Sequence, residues 1–347
     1  MKKLFFLLVA TLLVGCSTTP QPTALPIEKT PITRSESLLH TVVQLSVYHK
    51  NQEAAIQEAL DYMSEMEKLF STNLEGSDVY RINQAAGKEA VKVNDATFEL
   101  IKKALNMANE SHGKFDVSIG AVTNLWRIGD AEYANKPEHE NIVKNLALIN
   151  YKDITLDEAN KTVKLEKSGM VIELGGISKG YIADGVKAIF EKHGITTAII
   201  NLGGNVVTMG TSPNNEKGWV VGVQDPDEVR GTVVGSVPVQ QKAVVTSGIY
   251  ERYVEVDGVK YHHILDPKTG YPVENNISGV TVITDNSATA DGYSTVLFLL
   301  GIEEGLKYVD AHDNLEAVFI DKDGGIHLSK GLKSTFELLD KAYHIVE

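Results

Sequence analysis

The sequence predicts a mixed α/β domain of the α+β kind, a largely antiparallel sheet with flanking helices. Three observations predict it. Segments of helical period and segments of strand period both occur along the chain. The second half runs strand to strand, with helices at 178–193 and 288–300. The steady alternation of strand and helix that marks a parallel sheet is missing over the first 170 residues. With 347 residues, 43% of them hydrophobic and 10 prolines, the chain can bury a large core. Lys and Arg total 33 against 46 Asp and Glu, a net charge of −13. That balance excludes a nucleic-acid backbone as partner, while a small phosphorylated ligand needs only a local positive site.

Residues 1–15, with two lysines ahead of an apolar run from Leu4 to Val14, read as an export signal too short to remain as a membrane span. Leu13-Val14-Gly15-Cys16 resembles a bacterial lipobox, which implies cleavage before Cys16 and a lipid on its sulfur. Cys16 is the only cysteine, so no disulfide forms. Residues 16–37 are expected to be the lipidated cysteine and a flexible tether. The stretch 17–36 holds four prolines and five threonines without an apolar period.

The folded domain is expected over 38–347. HTVVQLSVYHK reads as a strand, and the following helix places Ile56, Leu60, Met63 and Phe70 on one face. FSTNLEGSDVYRINQAAG is polar and reads as loop. Asp95 is positioned to cap a helix bearing Phe98, Ile101 and Leu105, and Gly113 closes it. NIVKNLALIN is helical, DITLDEANKTVKLEK is a strand pair, and VIELGG is a strand leading into a glycine turn.

Three glycine-centred segments carry candidate chemistry. ELGGISKG is read as a turn at a helix N-terminus, where exposed N–H groups suit phosphate, although it is neither a Walker A loop nor G-x-G-x-x-G. NLGGNVV is a turn between two strands, and AVVTSGIYERY reads as a third glycine turn, with the Thr246 and Ser247 hydroxyls beside Gly248. In TDNSATADGYSTVLFLLG, Ser287 is expected to cap a helix, with Asp291 and Thr295 one turn apart near its positive end. A carboxylate and a hydroxyl so placed suit a hard cation such as Mg²⁺, and equally serve as ordinary capping and backbone-bonded groups. YHHILDPKTGYPV, residues 261–273, alternates as a strand, so His262 and His263 point to opposite faces; Asp266–Pro272 then make a turn.

Gly176-Ile177-Ser178-Lys179-Gly180 also matches G-x-S-x-G between a strand and a helix, the setting of a serine hydrolase nucleophile. That reading needs an acid between Ser178 and His263, such as Asp225 or Asp227, and no His-Gly-Gly loop lies upstream.

ELGGISKGYIAD, NLGGNVV, TSGIYERY, HHILDPKTGYPV and ATADGYSTVLFLLG occur in this order, preceded by FSTN, SDVYRIN and GKFDVSIGAVTNLW. Together they resemble the ApbE family, the FAD:protein FMN transferases, from about residue 38 to the C-terminus. The resemblance implies a T-fold-like domain in a Mg²⁺-dependent, exported and lipid-anchored enzyme. Such an enzyme cleaves FAD, attaches FMN through its phosphate to a threonine of an acceptor redox protein, and releases AMP; some relatives hydrolyse FAD instead. By position it implies that Asp291, Thr295 and the Ser178 carbonyl hold the metal and that His263 activates the acceptor hydroxyl. It implies flavin contacts in the segments of Ser77, Tyr80 and Asn83, of Asp116, Val117 and Ser118, and of Lys179, Asp184 and Ile264. Thr246 and Ser247 join them as candidate cofactor-binding residues. The chain departs from the family where Met-Gly-Thr reads Leu39-His40-Thr41, and at Lys179, which is acidic in some relatives. A serine esterase and a flavin-binding lipoprotein without turnover are the competing readings.

Overall fold

The computed structural model describes residues 25–130, 133 and 135–347. The export signal, Cys16 and the first part of the expected tether lie outside the described residues. The chain enters the fold as a hairpin of β1 (Ile32–Leu38) and β2 (Thr41–Val47), and β1 corrects the tether reading for residues 32–37. ITRSESL shows no apolar alternation because it buries almost nothing. It is a strand because β2 offers an open row of main-chain partners.

α1 (Glu53–Phe70) buries Ile56, Leu60, Met63 and Met66 on one stripe. The stretch read as loop holds a short helix, α2 (Asp78–Gln84), because the Ser77 hydroxyl accepts from the Tyr80 N–H at 3.0 Å. After β3 (Val91–Lys92) comes α3 (Asp95–Glu110); its cap is Asn94 rather than Asp95, and it ends before Gly113 at φ 77°. α4 (Gly120–Trp126) and α5 (His139–Leu146) precede β4 (Ile154–Asp157) and β5 (Thr162–Leu165), which form a small sheet with β3. The strand expected at VIEL is irregular. The Asn83 side-chain amide bonds both the N–H (2.8 Å) and the carbonyl (3.1 Å) of Ile172, taking the groups a neighbouring strand would use.

α6 (Ser178–Lys192) leads to β6 (Ala198–Leu202), β7 (Asn205–Met209), β8 (Trp219–Gln224), β9 (Val233–Val239) and β10 (Ala243–Gly248). The hairpin β11 (Tyr253–Val256) and β12 (Val259–His262) precedes β13 (Ile277–Thr284), α7 (Ser287–Leu300) and α8 (Ile302–Asp310). β14 (Glu316–Asp321), β15 (Gly325–Leu328), β16 (Glu337–Leu338) and β17 (His344–Ile345) end the chain.

The main sheet has nine strands in the order β1-β2-β6-β7-β10-β13-β14-β15-β17, antiparallel throughout except β15 with β17. Adjacent residues of β10 mark its two covered faces. Val245 packs into the core shared with α6 and α7, and Val244 into the core beneath the β8–β9–β16 sheet. Central β13 is therefore buried at all eight positions. A third, smaller core of Val122, Trp126, Ile142 and Leu265 seats the turn after His263. There Trp126 donates its indole N–H to the Gly270 carbonyl at 2.8 Å. Gly270 sits at φ 71°, and a Cβ on it would lie 2.6 Å from Ile142, so only glycine fits. No helix among the described residues is long and apolar enough to cross a membrane.

Candidate active site

Two helix N-termini meet over the sheet and lock each other. Asp184 of α6 accepts from the Ser287 and Ala288 N–H groups of α7, at 2.8 and 2.9 Å. Asp291 of α7 accepts from the Gly180 N–H of α6 at 2.9 Å. Gly180 makes the approach possible, since a Cβ there would fall 2.2 Å from the Ser287 carbonyl oxygen. Asn286, not Ser287, caps α7 through its bond from the Thr289 N–H, and Ser287 is instead fully buried. Both oxygens of Asp184 are thus spent on holding α7, and burial raises its pKa.

Asp291 has one oxygen left. It is 5% exposed, and no cationic side chain pairs with it among the described residues. Ser294 donates to the Asp291 carbonyl at 2.6 Å, and the hydroxyl of the half-buried Thr295 makes no hydrogen bond among the described residues. Gly176 of the glycine turn packs against Thr295, its virtual Cβ 3.7 Å from the hydroxyl. No cluster of three His, Cys, Asp or Glu capable of holding a metal occurs among the described residues. One buried, uncompensated carboxylate and one hydroxyl do fit Mg²⁺, which takes few protein ligands and keeps water and phosphate oxygens.

Basic groups surround the second glycine turn. Lys179, in the first turn of α6, lies 3.4 Å from the Asn205 side-chain oxygen. Arg230 donates to the Gly203 carbonyl at 3.2 Å and pairs with Glu251. The third glycine segment is not a turn: Gly248 ends β10, paired with Gly279. The Ser247 hydroxyl bonds Ser294 at 2.7 Å and that of Thr246 bonds Thr281 at 2.8 Å, tying the strand to α7 and β13 respectively.

The two histidines differ in what their rings meet. β12 stops at His262, whose Nε2 donates to the Val273 carbonyl at 3.1 Å while its Nδ1 accepts from the Ile264 N–H at 3.3 Å. Both nitrogens are used, and burial lowers its pKa. In His263, Nδ1 lies 3.1 Å from the Arg252 carbonyl, which can only accept. Nδ1 therefore carries the hydrogen, and Nε2 keeps a free lone pair. Burial, with the Arg252 guanidinium and Lys179 nearby, pushes the His263 pKa down to about 3.

The remaining predicted flavin positions form a frame. Ser77 also donates to the Ser71 carbonyl; Asn83 holds Ile172; Asp116 accepts from the Ser118 N–H and hydroxyl and from the Tyr151 N–H. Val117 is 1% exposed and accepts from the Glu173 N–H, Ile264 is 4% exposed, and Tyr80 is half-buried. A cavity of about 280 Å³ brings Asp116 beside Pro267 and Lys268 of the His263 turn. A larger one, about 700 Å³, is lined by His262, Arg230, Tyr250 and Lys322 and by none of the predicted flavin residues. Among the described residues the serine hydrolase arrangement is absent. His263 is oriented by a carbonyl, and Asp225, 2% exposed, accepts from the Tyr343 hydroxyl and the Asp227 N–H. Sequence reasoning did not single out Arg230, Arg252 or Asn205. Only Asn205, directly after the Gly-Gly turn, carried a local signal.

A site of this kind suits transfer of a phosphate-bearing group. It offers donors for anionic oxygens and one unprotonated base, and needs no protein nucleophile. Comparison with known proteins gives the family: the ApbE family matches residues 39–319, and the chain belongs to it. An FAD:protein FMN transferase of Klebsiella pneumoniae is 36% identical, over 90% of this chain and 96% of that protein. One of Treponema pallidum is 31% identical over 89% and 90% respectively. Among solved structures, the ApbE protein of Thermotoga maritima matches with a TM-score of 0.81 and 33% identity, covering 88% of this chain and 99% of that one. The flavin transferase ApbE of Vibrio cholerae matches at 0.77 and 25%, over 89% and 100%.

Proposed function

We propose that this chain is an FAD:protein FMN transferase. An acceptor threonine hydroxyl attacks the phosphorus of the FMN half of FAD and the P–O–P bond breaks. FMN becomes a phosphoester of the acceptor, and AMP leaves. The observation that carries the reading is His263. Its tautomer is fixed by the Arg252 carbonyl, so Nε2 is free to take the hydroxyl proton. A pKa of about 3 makes a weak base in the ligand-free protein. An anionic diphosphate opposite Lys179 and Arg252 offsets their charge and raises it toward a useful range. Asp291, Thr295 and the Ser178 carbonyl are the groups that would hold Mg²⁺, which when bound neutralises phosphate charge. Asp184 keeps α7, and with it Asp291 and Thr295, in place.

Incubation with FAD, Mg²⁺ and a threonine-containing acceptor peptide tests the reading. AMP together with a peptide heavier by FMN is expected. AMP alone means hydrolysis, with water in place of the hydroxyl, and retained flavin without AMP means a binding protein. We further propose export and lipid anchoring through Cys16, with a subunit of a membrane or exported redox system as acceptor. The support is the lipobox-like Leu13-Val14-Gly15-Cys16 and its position as the only cysteine. A Cys16→Ser variant that stays in the membrane fraction after a salt wash overturns the anchor.

A further inference from the structure

Three buried side-chain atoms among the described residues lack any hydrogen-bond partner: Asn205 Nδ2, the Tyr250 hydroxyl and Ser287 Oγ. Asn205 stands apart because its other side-chain atom contacts Lys179 of the candidate site. It is 1% exposed, follows the Gly203-Gly204 turn, and pairs across that turn with Leu202, so both side chains sit on the α6 face of the sheet. Its oxygen faces the Lys179 ammonium at 3.4 Å. That contact settles which way round the amide sits, since the reverse would set two donors against each other. Nδ2 is left with two hydrogens and no acceptor. A buried, unmet donor is costly, and its persistence points to a partner that arrives from outside.

We infer that Asn205 reads the diphosphate of the bound substrate, Nδ2 donating to a phosphate oxygen while Oδ1 holds Lys179 toward the same group. This rests on the transferase reading for its ligand. The surroundings agree on the charge of what binds. Lys179 stands at the N-terminus of a 15-residue helix, and Arg230, paired with Glu251, donates to the Gly203 carbonyl of the same turn. Gly204, at φ 105°, is exposed with nothing within 4 Å of a virtual Cβ, so no side chain crowds the turn, while its N–H is held by the Asn201 side-chain oxygen at 2.9 Å. The residue type matters as well. An aspartate of the same shape would pair with Lys179, cancel its charge and repel the phosphate.

Two variants test this, with ligand-free thermal midpoint and affinity for FAD and for ADP measured in Mg²⁺ buffer. Asn205→Ala and Asn205→Asp are expected to bind both ligands on the order of tenfold or more weakly, the loss of a charge-assisted hydrogen bond. Asn205→Asp should melt no lower than the parent, because the new carboxylate pairs with Lys179. Unchanged affinity in both variants overturns the inference. So does a loss for FAD but not ADP, which would set Asn205 against the flavin, and so does a lowered midpoint in Asn205→Asp, which would make the residue part of the frame. Should Asn205→Ala not fold, Asn205→Asp alone decides. A parent protein that binds FAD without releasing AMP would defeat the transferase reading and leave this test standing.

Discussion

The α2 and Asp116–Ser118 segments and the α6–α7 junction are both built from short polar side chains under a glycine-rich chain, yet they treat those side chains oppositely. In the first region the named side chains are spent: Ser77 on two backbone groups, Asn83 on both groups of Ile172, Asp116 on three donors. In the second, Asp291 keeps a free oxygen and Thr295 a free hydroxyl, and beside it Asn205 keeps a free amide nitrogen and His263 a free Nε2. Satisfied polar groups give rigidity. Unsatisfied ones, held in place by the satisfied, are what a ligand can use.

The largest effect that would break this contrast is at Asp291. Asp291→Asn preserves an acceptor for Gly180 but removes the charge, and turnover should fall on the order of a thousandfold, several kcal/mol of barrier. Thr295→Ala should cost less and raise the Mg²⁺ needed. A Mg²⁺ titration that looks the same in both variants and the parent removes them from the site. His263→Ala should lose transfer by roughly 10²- to 10⁴-fold while FAD fluorescence quenching still reports binding. A larger loss in His262→Ala would reverse the assignment of the two rings.

The same histidine makes a pH prediction. Its folded pKa lies below its unfolded value near 6.5, so the unfolded chain binds the extra proton. Its contribution to stability is present above pH 6.5 and is lost as pH falls toward about 3. The thermal midpoint should fall with acid across that window, and less steeply in His263→Gln. Asn83→Ala belongs to the frame and should cost about 2 kcal/mol by orphaning both groups of Ile172, seen as a lower unfolding midpoint. The smallest effect is expected at Ser178→Ala, which keeps the carbonyl and the helix start, so FAD-dependent activity should be nearly unchanged. Stoichiometric fluorophosphonate labelling of Ser178, with activity lost in the variant, would make the protein a serine hydrolase.

Legibility in the sequence followed the range of the forces at work. α1 and α3 were readable because amphipathic period is local, and α6 and α7 because a glycine turn or a capping position precedes each; the strand pair at 153–167 and the Gly-Gly turn at 203–204 were local signals too. β1 was missed because an edge strand with exposed side chains carries no pattern. The VIEL strand was wrongly expected because Asn83, 89 residues away, competes for its backbone. Asn286 rather than Ser287 caps α7 because it takes the Thr289 N–H, while Asp184 ties down the Ser287 N–H and Ser287 turns into the interior.

By itself, then, the sequence determined the α+β class, the candidate residues and, through ordered motifs, the family, since each depends on neighbours within a turn or two. Which polar atoms are spent and which are left free was decided only in three dimensions. Arg252 selects the His263 tautomer, Lys179 orients Asn205, and Asp184 seats the helix that carries Asp291. A hydrogen bond needs both partners within about 3 Å, and those partners are brought together by packing across the sheet.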